Sequence, residues 1–240
     1  MRIGIIGTGT IAAAVVDGLA EDHHQIIVSR RGQLHSSRLA EKYENVTVAD
    51  NQKVLDESDT IFLGLVEDQA QPVLSSLTFR SNQKIVSLMS GPPLTELRDM
   101  VAPAVAVANM IPFPGIATGN SPVLVLGDAE IINALFGARN SIFQCEDQDE
   151  LAAYLAAQAV LSPVTVMVQK AGEWLGENVK NSVQGEAFLR ALVGSSLQAT
   201  PDCQNLIQAL NTPGGYNQRL REHMETSGFT EQLKQGLSEL

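Results

Sequence analysis

Along the first 145 or so residues, short runs rich in Val, Ile and Leu recur with almost no polar alternation. They fall at Ile3–Ile6, Gln25–Ser29, Val46–Val48, Thr60–Leu65, Lys84–Leu88, Val105–Ala108, Val123–Leu126 and Ser141–Gln144. Apolar runs of this length without alternation are strands covered on both faces. Between the first several lie stretches with helical spacing, such as Ile11–Glu21 and Gln69–Leu77. The alternation of strand and helix predicts a doubly wound, Rossmann-type α/β sheet.

From about residue 150 the strand pattern stops. Ser162-Pro163 reads as an N-cap followed by proline at the first helical position. Val164, Met167, Val168, Ala171 and Leu175 follow at helical spacing, with Gly176 as C-cap. Thr200-Pro201 repeats the start signal ahead of Leu206, Ile207 and Leu210. Thr212-Pro213-Gly214-Gly215 is a loop, and Tyr216, Leu220 and Met224 share a face of the next helix, which Gly228 ends. Thr230 is placed to cap a last helix carrying Leu233 and Leu237. The expected division is a nucleotide-binding domain over 1–148 and an all-helical domain over 149–240. So short a helical domain cannot cover its own apolar faces, which predicts a homodimer formed through the C-terminal helices.

The first dozen residues carry the sharpest chemistry. Gly7-Thr8-Gly9-Thr10-Ile11-Ala12 follows the opening strand at once and leads into Ala13-Ala14-Val15-Val16. Strand, Gly-x-Gly-x-x-Ala turn and apolar helix start are the order a dinucleotide-binding unit needs. Gly7 permits the tight turn, Gly9 lets a pyrophosphate approach the backbone, and Ala12 lets the helix pack closely on the strand. The free N–H groups at the helix start, from Thr8 to Ile11, face the phosphates.

The end of the second strand selects the nucleotide. It reads Ile27-Val28-Ser29-Arg30-Arg31-Gly32, with no carboxylate for a ribose 2′-hydroxyl. Arg30 suits paired hydrogen bonds to a 2′-phosphate, Ser29 offers a hydroxyl, and Arg31 and Arg38 add charge. The cofactor predicted is NADPH.

Composition narrows the field of partners. Hydrophobic residues make up 44% of the chain and charged residues 18%, enough for a packed core. A net charge of −11 argues against nucleic acid and anionic membrane surfaces. No run of about 18 apolar residues is apparent, so no membrane-spanning segment is expected. Cys145 and Cys203 form no ligand or C-x-x-C spacing, as for reduced thiols in the cytoplasm, and the chain opens on a strand rather than a signal peptide. His23, His24, His35 and His223 show no metal spacing, and Glu146, Asp147, Asp149 and Glu150 read as a solvated helix start.

With these residues in place, the chain resembles the pyrroline-5-carboxylate reductase family over nearly its whole length. The glycine turn and the Ser29-Arg30 pair fit that family. Asp50-Asn51 resembles its ribose-contacting asparagine, and Asp59–Val66 its Asp-initiated strand, which adds Asn51, Leu65 and Val66 to the cofactor set. Ile85–Gly91 is similar to its Ile-Ser-Ile-Ala-Ala-Gly strand, and Met110–Pro114 to its Met-Pro-Asn-Thr-Pro turn. Ser162-Pro163 stands where that family has Ser-Gly-Pro-Ala. Thr212–Gly215 stands where it has Ser-Pro-Gly-Gly. The resemblance implies NADPH- or NADH-dependent reduction of a cyclic imine carboxylate to proline, in a homodimer or assembly of dimers with interlocked helical domains. It implies that the imine lies between the nicotinamide and the Thr212–Asn217 loop.

The departures fall in the substrate half. Tyr216-Asn217 replaces the family's Thr-Thr, and Val66-Glu67-Asp68-Gln69 replaces its Val-Lys-Pro-Gln. The asparagine of the Pro-Asn-Thr-Pro turn is gone. Tyr216 has a hydroxyl able to donate a proton to an imine nitrogen, or a ring able to pack on Leu220 one turn on. Asn217, Thr212 and the amides near Gly214 and Gly215 suit a substrate carboxylate or carbonyl. Besides reduction of a cyclic imine carboxylate, two readings stay open: the same fold acting on another imine or a ketone, and a non-catalytic NADP-binding sensor or scaffold.

Overall fold

The eight apolar runs form one sheet. In the computed structural model, which describes residues 1–240 apart from the side chain of Ser182, the strands are β1 (Arg2–Ile6), β2 (Gln25–Ser29), β3 (Val46–Ala49), β4 (Thr60–Leu63), β5 (Lys84–Ser87), β6 (Val105–Pro112), β7 (Pro122–Gly127) and β8 (Ser141–Cys145). Their order is β3-β2-β1-β4-β5-β6-β7-β8. Every neighbouring pair is parallel except β6–β7. That exception follows from the link between them, which holds only a 3-10 turn (Pro114–Ala117) and no crossover helix. It also explains why β6 outruns the expected Val105–Ala108: pairing with β7 continues to Pro112, opposite Val123.

The helices of this half are α1 (Thr10–Leu19), α2 (Gln33–Lys42), α3 (Asn51–Glu57), α4 (Glu67–Leu74), α5 (Leu94–Met100) and α6 (Glu130–Phe136). They cover both faces of the sheet, which is why the strands show no polar alternation. Ile3, Ile5, Val28, Phe62 and Val86 pack with Val15, Val16 and Leu19 of α1 and with Ile132 and Phe136 of α6. Ile6, Ile27, Ile61, Leu63 and Ile85 pack on the other side with Val54 and Leu55 of α3, Leu74 of α4 and Leu97 of α5. Phe62 and Phe136 meet edge to face, with centroids 6.2 Å apart.

Helix α1 is held on two sides near its C-terminal end. A Cβ on Gly18 would run into the carbonyl oxygen of Ile116, so the helix lies directly on the 3-10 turn. Arg139 donates to the carbonyl oxygen of Gly18 and pairs with Asp22, both at 2.5 Å. On the outer face Asp17 accepts from Arg38 (2.7 Å), Lys42 (3.0 Å) and Tyr43 (2.8 Å). Burial pushes the Asp17 carboxyl up, but the hydrogen bonds from Arg38, Tyr43 and Lys42 outweigh it and hold the group at about 2. Arg38 is thereby committed to joining α1 to α2, which corrects its expected place beside a 2′-phosphate.

The chain falls into two compact units, Met1–Leu151 and Ala152–Leu240. The second unit is helical throughout. Its elements are α7 (Gln148–Ala157), which begins in the first unit, α8 (Leu161–Asn178), α9 (Ser182–Gln198), α10 (Cys203–Ala209), α11 (Tyr216–Thr226) and α12 (Phe229–Ser238). Asp147 accepts from the N–H of Glu150 (2.8 Å), and the Glu150 carboxylate from the N–H of Glu146 (2.5 Å), so the acidic group does start a helix. α8 and α9 cross where Gly172 and Gly185 leave room for Glu186 and Leu175.

Several expected helix ends are corrected. Ser162-Pro163 does not start a helix: α7 passes through a 3-10 turn (Gln158–Val160) straight into α8, and Pro163 sits in the first turn, where its missing N–H costs little. Gly176 lies inside α8 rather than after it. α10 is capped by Asp202, which accepts from the N–H of Asn205 at 2.8 Å, not by Thr200. α12 is preceded by Gly228 at φ 80°, not by Thr230. The helical run Gln148–Asn178 is also long and apolar enough, by length and composition alone, to cross a membrane. That corrects the expectation that no segment meets this test. The run is largely exposed in the single chain, and its side chains include Leu161, Val166 and Trp174, between 48% and 66% exposed.

Candidate functional site

Three turns meet at the C-terminal edge of the sheet. Gly7, at φ 88°, follows β1; a Cβ there would overlap the carbonyl oxygen of Gly64, which follows β4. Gly64 in turn could carry no side chain without reaching the Gly7 carbonyl oxygen (2.6 Å) and the Ala12 methyl (3.0 Å). Gly32, also at φ 88°, follows β2, and a Cβ on it would overlap the carbonyl oxygen of Thr8. Backbone therefore lies against backbone at all three strand ends. The packing role expected of Ala12 is confirmed, since it is this methyl that Gly64 accommodates.

Between the turns lies a cleft of about 210 Å³, lined by Gly7, Thr8, Gly9, Arg31, Gly32, Gly64, Leu65, Val66 and Gln69. The first hydrogen bond of α1 runs from the Ala13 N–H to the Gly9 carbonyl oxygen (2.8 Å), leaving the N–H groups of Thr10 and Ile11 free at the helix start. No side chain caps this end, and its first turn holds no acid. Around Gly9 a Cβ would meet nothing within 4 Å. Gly9 has ordinary backbone angles (φ −86°), so no turn demands a glycine there. What its missing side chain preserves is open space over unpaired amides, which suits the phosphates of a dinucleotide.

The other expected cofactor residues divide. Gly7, Thr8, Gly9, Arg31, Leu65 and Val66 all line the cleft. Arg30 stands exposed at the end of β2 and, among the described residues, its guanidinium forms no ion pair. Arg31 reaches across the cleft and donates to the side-chain amide oxygen Oε1 of Gln69 at 3.4 Å. Ser29 is fully buried, and its hydroxyl accepts from the Gly7 N–H at 2.9 Å, while Thr8 donates to the Ser29 carbonyl oxygen at 3.0 Å. This corrects its expected place: Ser29 holds the glycine turn and presents no hydroxyl to the cleft. Asn51 opens α3 behind its cap Asp50 and is not among the residues lining the cleft. Gly32, Gly64 and Gln69 were not expected; a glycine shortly after a strand end was the available signal for the first two.

The expected substrate residues lie in the second unit. Gly214, at φ 73°, donates its N–H to Gln218 (2.7 Å), and the Gly215 N–H closes the turn on Thr212 (2.9 Å). Gly215 is the N-cap of α11, and Tyr216 and Asn217 are its first two residues. Tyr216 is 90% exposed and Leu220 64%, so the tyrosine ring is not held in a core of its own chain. Among the described residues no group of three or more His, Cys, Asp or Glu is placed to hold a metal ion.

Comparison with known proteins bears on this geometry. Residues 2–91 match a family described as NADP oxidoreductase, coenzyme F420-dependent. Among solved structures, 1-pyrroline-5-carboxylate reductase from Streptococcus pyogenes superposes with a TM-score of 0.83 at 22% identity, over 100% of this chain and 96% of that one. The fold is that of the pyrroline-5-carboxylate reductases. The Plasmodium falciparum pyrroline carboxylate reductase with NADP bound gives a TM-score of 0.81 at 14% identity, over 99% and 94% of the two chains. A reductive aminase from Aspergillus terreus, solved with NADPH and ethyl levulinate, gives 0.62 at 17% identity, over 90% and 78%. Comparison with curated proteins finds no matching sequence.

Proposed function

We propose that this chain is an NADPH-dependent reductase that delivers hydride to the C=N bond of a small imine. The single observation that carries the reading is the cleft: free amides of Thr10 and Ile11, the open space at Gly9 and two arginines after β2, with no acid at that strand end. The match of residues 2–91 to NADP oxidoreductases supports the choice of nucleotide. NADPH, when bound, supplies the hydride; the protein supplies position and charge. The amides of α1 bind the pyrophosphate, and Arg30 and Arg31 bind the 2′-phosphate. The Tyr216 hydroxyl acts as proton donor to the substrate nitrogen, and Thr212, Gly214, Gly215 and Asn217 hydrogen-bond the substrate.

The resemblance carries a finer reading, a cyclic imine carboxylate of the pyrroline-5-carboxylate kind, as in proline biosynthesis. Tyr216-Asn217 and Glu67 depart from that pattern and support a second reading, an imine or ketone of different substitution. The exposed apolar residues of α8 and α9 support a homodimer, for which light scattering should return twice the 25.7 kDa chain mass.

Two measurements test the enzyme. NADPH oxidation should accompany addition of a cyclic imine, and Tyr216→Phe should lower kcat by roughly 10²-fold or more, the usual scale for a positioned acid. NADPH that binds without being consumed by any imine or keto acid would mean a sensor or scaffold instead. Separately, Arg30→Ala should weaken NADPH by ~1–3 kcal/mol and leave NADH nearly unchanged, because only the former carries the phosphate. Equal losses for both nucleotides would place the phosphate elsewhere.

A further inference from the structure

Next to the cleft, directly after its lining residue Val66, stands a charge of the opposite sign. In the order β3-β2-β1-β4-β5 the sheet reverses direction of growth between β1 and β4. A dinucleotide laid across that point has its adenosine over β1 and β2 and its nicotinamide over β4 and β5. Glu67, the first residue of α4, reaches from the turn after β4 to the turn after β5. A Cβ on Gly91 would overlap the Glu67 carboxylate, with Oε1 2.6 Å away, so the carboxylate rests on the bare backbone of that glycine.

A further acceptor lies where β6 runs beside the end of β5. Asn109 lies opposite Ser87 in the β5–β6 register and is 3% exposed. Its Nδ2 donates to the carbonyl oxygen of Pro92 (3.5 Å), and its Oδ1 accepts no hydrogen bond among the described residues. The edge thus offers the Glu67 carboxylate, while the unmatched Asn109 Oδ1 is enclosed. Across 64–68, 88–93 and 109–113 the sequence holds no Lys, Arg or His to balance them.

We propose that Glu67 sets the charge of the substrate: a protonated imine that carries no carboxylate. The inference rests on the proposed reductase and narrows its substrate class. An anionic substituent near Glu67 meets like charge, whereas an iminium meets its complement. In the reaction the iminium carbon accepts hydride from NADPH and the C=N π pair moves to nitrogen. That nitrogen already bears the proton supplied by the Tyr216 hydroxyl, so a neutral amine leaves together with NADP⁺, and the tyrosine regains its proton from solvent.

The test uses the full chain with two probes, 1-pyrroline and 1-pyrroline-5-carboxylate, and the variants Glu67→Gln and Glu67→Lys. NADPH titration comes first, with circular dichroism as the check on folding. The parent protein should favour 1-pyrroline in kcat/KM by roughly tenfold or more, Glu67→Gln should narrow the ratio, and Glu67→Lys should invert it. If Glu67→Lys does not fold, the isosteric Glu67→Gln decides alone. A parent that prefers the carboxylate, a ratio that the variants leave in place, or NADPH-bound protein that turns over neither imine overturns the proposal. Failure to bind NADPH at all instead removes the reductase reading, and this proposal with it.

Discussion

Replacing Gly9 by valine should abolish nucleotide binding while leaving the fold standing. The backbone at Gly9 is extended (φ −86°, ψ −171°), a conformation valine adopts freely. Nothing lies within 4 Å of the added Cβ, so the side chain starts in open space. The folding cost is that of a poorer N-cap, about 1 kcal/mol. The new methyl groups would fill the space in front of the Thr10 and Ile11 amides, where phosphate oxygens must come within about 3 Å of nitrogen. The expected loss is at least ~100-fold in NADPH affinity, or about 2.7 kcal/mol. Fluorescence titration beside a denaturant curve measures both. Retained affinity with an unchanged unfolding midpoint would locate the phosphates away from α1.

Gly7→Ala should do the reverse and strike at folding. Its φ of 88° is costly for any residue with a Cβ, by ~1–2 kcal/mol. The added methyl would also collide with the Gly64 carbonyl group, which is backbone and is pinned by its own N–H bond to Ile6 (2.8 Å). Relieving that overlap means separating the β1 and β4 turns and breaking the Gly7 bond to Ser29. Together the expected destabilisation is about 3–5 kcal/mol, a large share of the ~5–15 kcal/mol that a domain commands. Chemical denaturation of Gly7→Ala against the parent checks this; an unmoved midpoint would show that the turn tolerates what its geometry forbids. Two glycines two residues apart thus serve different ends, one the chain and one the ligand.

The strands were legible because burial on both faces leaves an unbroken apolar run, and each of the eight runs became a strand. The reversal at β7 was not legible, since direction depends on the length of the link after β6 and not on the strand residues. In the helical unit the start and stop signals misled. Ser162-Pro163 has the composition of a helix start, but a proline near the head of α8 is tolerated within a longer run, so the same dipeptide is silent there. α9 went unseen because Phe188, Leu192 and Leu197 are exposed in the single chain rather than set in a clean buried stripe. At the cleft, Gly7, Gly9 and Arg31 were readable from residue type and spacing. The inward turn of Ser29 was not, because a hydroxyl at a strand end serves backbone or ligand equally well by composition.

The covering of α1 has a practical corollary. Residues 2–91 carry the family match, yet Val15, Val16 and Leu19 are sealed by Met110, Ile116, Val123, Val125, Ile132 and Phe136, all further along the chain. An excised segment ending at 91 would expose that whole flank of the helix to water, and Gly18 and Asp22 would lose Arg139. The nucleotide module is therefore not portable at the boundary its sequence motif suggests: the smallest transplantable piece runs through β8.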